Sequence, residues 1–283
     1  MKSALLQDTS TNVEELPALL RQLQLDSQKF LDQLRAGRDS RESVGVNAKG
    51  DDQKSFDIAA DRWLERWLAE HFESGIVESE EQAGVFEFGH DGRGFRFIVD
   101  PVDGSDNFAR GLPLSAISVA VLPRRAALSA EQVLCAFVGD TSGPGAAIAA
   151  RGSGAHADGH RLHTSKTLRL RDAFVSCELN HWAPGTTLAR LLAASSGVRA
   201  YGCASRALGL VAAGGLDAHV DVRNRLTPES FLAASLLVTE AGGHICRLDG
   251  RPLGPFESLQ ERTTLVAAST QGLAEEIIHA ITP

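Results

Sequence analysis

The sequence predicts an α/β protein. Apolar residues recur at helical spacing in several stretches, short apolar runs bounded by glycine, proline and aspartate lie between them, and one such run ends in two aspartates three residues apart. Strands that feed tight turns and then helices are the signature of this class.

Residues 1–11 are polar and expected to fray. Asn12 can cap a first helix, with Glu14 and Glu15 in its opening turn. Leu16, Leu19, Leu20, Leu23, Phe30, Leu31 and Leu34 then follow at helical spacing until Gly37. Residues 38–56 are charged, contain glycine and show no period, which predicts a loop. A second helix is expected from Asp57 to about Phe72, with Ile58, Ala60, Leu64, Trp67 and Leu68 inward and Asp61, Arg62, Glu65 and Arg66 largely outside. The acidic run Glu78-Ser79-Glu80-Glu81 comes next and, taken alone, is an ordinary solvated turn.

Residues 95–113 organise the chain. Phe95 to Val99 is strand-like, and Pro101 and Gly104 break it, so Asp100 and Asp103 should project from a turn at the strand's carboxyl end, where open α/β sheets keep ligands. Two carboxylates so placed repel each other unless a cation lies between them, and an all-oxygen donor set suits a hard ion such as Mg2+. Gly104 and Ser105 would then open a helix whose free amides attract an anion. A metal beside an anion cradle is the equipment of phosphoryl transfer to water.

Beyond this stretch, Ile117 to Leu122, Val133 to Val138, Ala146 to Ala150 and Phe174 to Leu179 read as strands. His181 beside Trp182 has no partner pattern and reads as structural. A small-residue helix ending near Ala213, a strand from Leu216 to Val222, a helix stopped by Gly242 and Gly243, and a closing helix from Leu273 to Ile281 complete the chain.

Composition narrows the function. The chain has 283 residues, enough for one large core or two packed subdomains, with 43% hydrophobic and 23% charged residues. A net charge of -8 and the lack of a basic stripe argue against nucleic acid. No apolar run is long enough to span a bilayer and the N-terminus has no hydrophobic signal segment, so a cytoplasmic protein is expected. Cys135, Cys177, Cys203 and Cys246 are scattered among small and apolar neighbours and read as reduced core thiols.

Asp100-Pro101-Val102-Asp103-Gly104-Ser105, followed by Asn107-Phe108 and by Gly111 and Pro113, resembles the signature of the inositol monophosphatase family. The resemblance covers nearly all of residues 45–270. It includes a Glu-Glu pair whose first member, Glu80, lies 20 residues before Asp100. A catalytic Asp precedes that pair in the family. Asp57, 23 residues before Glu80, fits that spacing better than Asp61, and Gly50 to Asp57 also resembles the metal-responsive loop of fructose-1,6-bisphosphatases. Arg151-Gly152-Ser153-Gly154-Ala155 resembles the family's glycine-rich hairpin, and Asp221-Val222-Arg223 resembles the branch acting on both inositol phosphates and fructose 1,6-bisphosphate.

The resemblance implies a layered αβαβα sandwich, with an N-terminal α+β subdomain (residues 1–150) carrying the metal site and a C-terminal α/β subdomain (151–283) completing the substrate site. It implies Mg2+-dependent hydrolysis of a small phosphate monoester such as an inositol monophosphate or a sugar phosphate, in a homodimer. Glu80, Asp100 and the Val102 carbonyl would hold a first Mg2+, and Asp100 and Asp103 a second. Asp57 and Ser105 would orient or deprotonate the attacking water. The Gly104 and Ser105 amides would hold phosphate, and Gly202, Cys203, Ala204 and Asp221 the alcohol.

One position departs from the pattern. Counting back from Ala241-Gly242-Gly243, the family expects a second-metal Asp where this chain has Ser230. Glu229 is adjacent and would supply the ligand if it reached the metal. Alternatively Thr227 caps the helix, Pro228 takes its first position and Glu229 offsets the dipole, leaving the second metal weak. A non-catalytic protein binding metal, phosphate or a partner, and a phosphatase for 3'-phosphoadenosine 5'-phosphate, are the other functions in view.

Overall fold

The computed structural model of the chain describes residues 13–36, 43–47, 50, 52–82, 84–89, 92–180 and 185–282. The expectations for residues 1–11, Asn12, Gly37, His181 and Trp182 fall outside them.

Helix α1 (Leu16–Ala36) buries Leu16, Leu20, Leu23 and Leu31 along one stripe, as the spacing predicts. The expected loop holds a short hairpin, β1 (Ser43–Val46) and β2 (Asp52–Lys54). Its strands are too short and too polar to betray a period of two. Helix α2 (Ser55–His71) starts two residues earlier than expected and faces α1, with the Phe30 and Trp63 rings stacked at 4.8 Å. Asp61 corrects the expected outward face: it is 1% exposed, and Gln82 Nε2 donates to its Oδ2.

The next elements are β3 (Gly75–Ser79), β4 (Phe86–Phe88), β5 (Phe95–Asp103), α3 (Ser105–Arg110), β6 (Ala116–Pro123), β7 (Cys135–Asp140), β8 (Ala146–Ala150), β9 (Gly154–Ala157) and β10 (His160–Arg161). They form one eight-stranded sheet in the order β10-β9-β8-β7-β6-β5-β3-β4. Its last hairpin thus lies beyond residue 150, within the expected second subdomain. Only β3 and β5 pair in parallel, in a register ending at Ser79↔Val99. Their carboxyl ends therefore lie side by side.

After β11 (Phe174–Cys177) come α4 (Thr186–Ala194), β12 (Gly197–Arg199), α5 (Ala204–Ala212), β13 (Ala218–Leu226), α6 (Leu232–Glu240), β14 (His244–Cys246), β15 (Thr263–Ala268) and α7 (Gln271–Ile281). The second sheet has the order β12-β11-β13-β15-β14, parallel at β12, β11 and β13 and antiparallel beyond. Helices α1 and α2 cover one face of the first sheet. Helices α5 and α6 lie between the sheets, and α4 and α7 close the outer face of the second. This is the expected five-layer sandwich. Helix α6 shows why it is apolar all round: every residue from Leu232 to Val238 is buried, because sheet or helix flanks each side. Its last residue, Glu240, accepts from the amides of Gly152 and Gly154 at 2.7 and 2.8 Å, fastening the glycine-rich hairpin to the middle layer.

All four cysteines are free and buried, as expected. No helix among the described residues is long and apolar enough to cross a membrane.

Within the second sheet, His219 is fully buried, and its Nδ1 pairs with Ser176 Oγ at 2.8 Å. Burial lowers its pKa from 6.5 to about 4. The unfolded chain therefore binds a proton that the folded chain refuses, and stability is complete above pH 6.5 and falls as pH drops towards 4. That titration is worth roughly 3 kcal/mol at most. In urea titrations across this window, His219→Gln should flatten the acid-side loss; a slope equal to wild type would show that His219 is not the group responsible.

Candidate active site

A cleft of about 520 Å3 opens where the carboxyl ends of β3 and β5 meet the starts of α3 and α5. Strand β5 does not end at Val99 as the sequence predicts. It runs through Pro101 to Asp103, and its pairing with β6 slips between Asp100 and Asp103. This bulge accommodates a proline that has no amide to donate, and it turns both carboxylates to the cleft. Val102 N donates to Asp100 Oδ1 at 3.2 Å. Glu80, one residue beyond β3, lines the same wall, as does Glu81. Glu78, by contrast, leaves the acidic run to form a two-point pair with Arg96 at 2.6 and 3.0 Å.

Asp103 is buried, and its Oδ2 accepts from both the amide and the hydroxyl of Ser205, at 2.7 and 2.5 Å. Burial raises its pKa; the Ser205 bonds act against that shift and nearby Glu80 adds to it. Burial likewise pushes Glu81 up to about 8, with Glu80 adding to it and the 2.7 Å bond from Gln53 Nε2 opposing. Asp57 closes the first turn of α2 by accepting from Lys54 N at 2.9 Å, and burial pushes it up to about 7. The Lys54 ammonium reaches across to Asp106 at 3.0 Å.

Gly104 opens α3 at φ +81, a conformation that glycine adopts freely. A Cβ there would stand 3.0 Å from the carbonyl oxygens of Gly202 and Leu114, so the close approach of the two halves also requires glycine. Asn107 bridges them, its Nδ2 donating to Leu114 O at 2.9 Å and Tyr201 O at 2.7 Å.

Glu80, Asp100, Val102, Asp103, Gly104, Ser105, Gly202, Cys203, Ala204 and Ser230 all lie on the cleft wall. Three expected site residues do not. Asp57 is 2% exposed behind Lys54. Asp221 is fully buried, because Arg223 takes its carboxylate through Nη2 at 2.6 Å, Nε at 3.1 Å and its own amide at 2.9 Å, and Arg223 stands on the wall instead. Glu229 is turned inward, its Oε1 accepting from Thr227 Oγ1 and, at 3.4 Å, from Ser230 Oγ. Pro228–Ser230 forms a separate 3-10 turn before α6, and Thr227 spends its hydroxyl on Glu229 and makes no side-chain cap. Thr227 thus holds the N-cap position with Pro228 first in the turn and Glu229 in it, as the capping alternative has it, but without the side-chain cap bond. Sequence reasoning also missed Glu178, which lies on the wall one residue past β11.

The chain matches the model of the inositol monophosphatase family over residues 13–282. It belongs to that family. Among curated relatives it is 29% identical over 241 residues to the fructose-1,6-bisphosphatase/inositol-1-monophosphatase of Thermococcus kodakarensis, covering 85% of this chain and 87% of that one. It is 33% identical over 176 residues to an inositol-1-monophosphatase of Mesorhizobium japonicum, covering 60% and 62%. The crystal structure of the extragenic suppressor protein suhB from Bartonella henselae superposes with a TM-score of 0.76 over 91% of this chain and 94% of that one, at 24% identity, and shares the fold. The inositol monophosphatase family comprises metal-dependent phosphatases of small phosphorylated molecules.

The donor set fits a metal of that kind: the wall carries carboxylates and a backbone carbonyl, with no histidine and only the buried Cys203 thiol, which suits a hard divalent ion. Among the described residues, no three acidic, histidine or cysteine side chains are gathered tightly enough to enclose an ion by themselves.

Asp57 gives a stability test. Its folded pKa of about 7 lies above its ordinary 3.8, so the charged form strains the fold above pH 7, and the strain is relieved as pH falls towards 3.8. In metal-free protein at pH 8, Asp57→Asn should stabilise the fold by about 1 kcal/mol or more while keeping an acceptor for Lys54 N. The gain should vanish near pH 4. A variant less stable than wild type at both pH values would show that the charge is not strained.

Proposed function

We propose that this chain hydrolyses a small phosphate monoester, an inositol monophosphate or a sugar phosphate, with Mg2+ as cofactor. One observation carries the reading: Glu80, Asp100 and Asp103 share a cleft wall with the glycine-opened start of α3 and face a polar wall from the second half. Glu80, Asp100 and the Val102 carbonyl would hold one Mg2+, and Asp100 and Asp103 another. Bound there, the metal would supply positive charge for the phosphoryl group and lower the pKa of a coordinated water. The Ser105 hydroxyl, on the cleft wall, would orient the attacking water, and Asp57, buried off the wall, would receive its proton only by relay through an intervening group. The raised pKa of Asp57 brings it into the range of a base that works near neutrality. The Gly104 and Ser105 amides receive the phosphate oxygens, and Gly202, Cys203 and Ala204 bound the alcohol side. The protein works in the cytoplasm as a homodimer.

The second metal position is weak in this reading. Ser230 stands on the cleft wall where the family pattern carries a carboxylate, its hydroxyl donating to Glu229 Oε1 at 3.4 Å, and a hydroxyl is a poor ligand for Mg2+. Glu229 is 1% exposed and off the wall, with its Oε1 accepting from Thr227 and Ser230, which argues against its substituting.

The test is phosphate release from a panel of sugar, polyol and nucleotide monoesters, with and without Mg2+. Asp103→Asn should lower kcat by about 100-fold or more with the fold retained, as expected for a lost metal-site charge. Ser230→Asp should lower the Mg2+ concentration needed for half-maximal activity, and Glu229→Gln should leave that concentration close to wild type. Wild-type turnover in Asp103→Asn would remove the proposed site; a collapse of activity in Glu229→Gln, with no gain in Ser230→Asp, would make Glu229 the ligand.

A further inference from the structure

The alcohol side of the cleft contains a carboxylate that neither the motifs nor the family resemblance assigns. Glu178 follows β11 directly, and its amide continues the ladder by donating to Val220 O at 3.3 Å. The parallel register Ser176↔His219 and Cys177↔Val220 therefore sets Glu178 beside Asp221. Two neighbouring carboxylates, one just past the end of β11 and one inside β13, meet different fates. Arg223 claims Asp221 through three nitrogens and shuts it away from the cleft, while its Nη1 donates to Asn180 O at 2.9 Å. Glu178 stays on the wall.

Its side chain is unusual for a wall residue. Glu178 is only 4% exposed, and its Oε1 is buried without a hydrogen-bond partner among the described residues. The carboxylate receives help from the Cys203 amide and from the charge of Arg223, but burial outweighs both and pushes it up to about 7. A buried carboxylate oxygen with no donor is costly, and in native proteins such groups are satisfied by ordered water or by a ligand that displaces it. A phosphate group would be repelled by it. Arg223 is committed to Asp221, and among the described residues none of the other cations on the cleft wall, Lys54, Arg225 and Arg262, bonds Glu178 Oε1. A hydroxyl is neutral, donates one proton and can enter a narrow polar site.

We propose that Glu178 is a specificity-determining residue that accepts a hydrogen bond from a hydroxyl of the substrate's alcohol portion, the task the resemblance gave to Asp221. This inference rests on the phosphatase reading and deepens it: among the polyol and sugar phosphates of that reading, Glu178 selects those with a free hydroxyl near the ester carbon. Arg223 acts on this contact indirectly, by withdrawing Asp221 and leaving one acceptor in place of two.

The test compares myo-inositol 1-phosphate, rich in hydroxyls, with p-nitrophenyl phosphate, which has none on its alcohol side. Both are assayed in Mg2+ with wild type, Glu178→Gln and Glu178→Asp. The Gln variant keeps the shape and removes the charge; the Asp variant keeps the charge and withdraws it by one methylene. For both variants the ratio of kcat/KM for the inositol phosphate to that for p-nitrophenyl phosphate should fall about 10- to 100-fold, the worth of one hydrogen bond to a charged acceptor. The loss should appear mainly in KM if the hydroxyl contact is the same in ground and transition states. Folding of each variant is checked by its urea midpoint. An unchanged ratio in the folded variants, with or without a common loss on both substrates, overturns the role of Glu178 and leaves the phosphatase reading standing. A wild type that releases phosphate from neither substrate overturns both.

Discussion

The Asp103 carboxylate, buried where three elements converge, is the constraint on which the rest of the structure depends. It extends from the bulged end of β5, and the amide and hydroxyl of Ser205 in the first turn of α5 hold its Oδ2. These two bonds cross from the first sheet to the middle helical layer. They fix how close the second half comes, and Gly104 and Asn107 follow from that distance: one leaves no side chain in the gap, and the other spans it with its amide. A charge this deep needs donors it does not share with solvent. The start of a helix is a ready source of them.

The same region concentrates strain. Burial raises the pKa of Asp57, Asp61, Glu81, Asp103 and Glu178, and in each case the favourable partners fail to cancel it. Elsewhere the chain behaves conventionally: Glu78 finds Arg96, and Glu240 finds two amides. Of these, Glu81, Asp103 and Glu178 line the cleft, and under-compensated carboxylates gathered there mark where a cation and a polar ligand are accommodated. The fold tolerates this because large apolar clusters lie on both sides of the cleft, from Phe97 under α2 to Phe231 between the sheets.

The Ser230 region shows how a local backbone choice propagates into chemistry. Pro228 starts a 3-10 turn that ends before α6, and Ser230 faces the cleft while Glu229 faces inward. A longer side chain on the neighbouring residue cannot replace a missing carboxylate when the backbone points it elsewhere. Thr227, at the N-cap position, stabilises this outcome by donating its hydroxyl to Glu229 and not to a backbone group of the turn.

Much of this was legible in the sequence because it was local. Leucines at helical spacing specify α1, the glycine pair stops α6, and the Asp-Pro-Val-Asp-Gly-Ser run specifies paired carboxylates ahead of a glycine that opens a helix, though on a bulged strand and not on the expected turn. What escaped was decided by contacts between distant residues. The β1–β2 hairpin has too little apolar alternation to announce itself. Asp61 looks like a surface residue on a helical wheel, yet Gln82 and the end of β3 cover it. Asp221 and Glu178 lie 43 positions apart in the chain and side by side in the sheet, and only the pairing of β11 with β13 set them in competition for Arg223. The sequence by itself determined which residues carry charge and which turns they stand on, since those depend on neighbours along the chain. Tertiary structure alone decided which carboxylates reach the cleft, since that depends on strand register and on which cation arrives first.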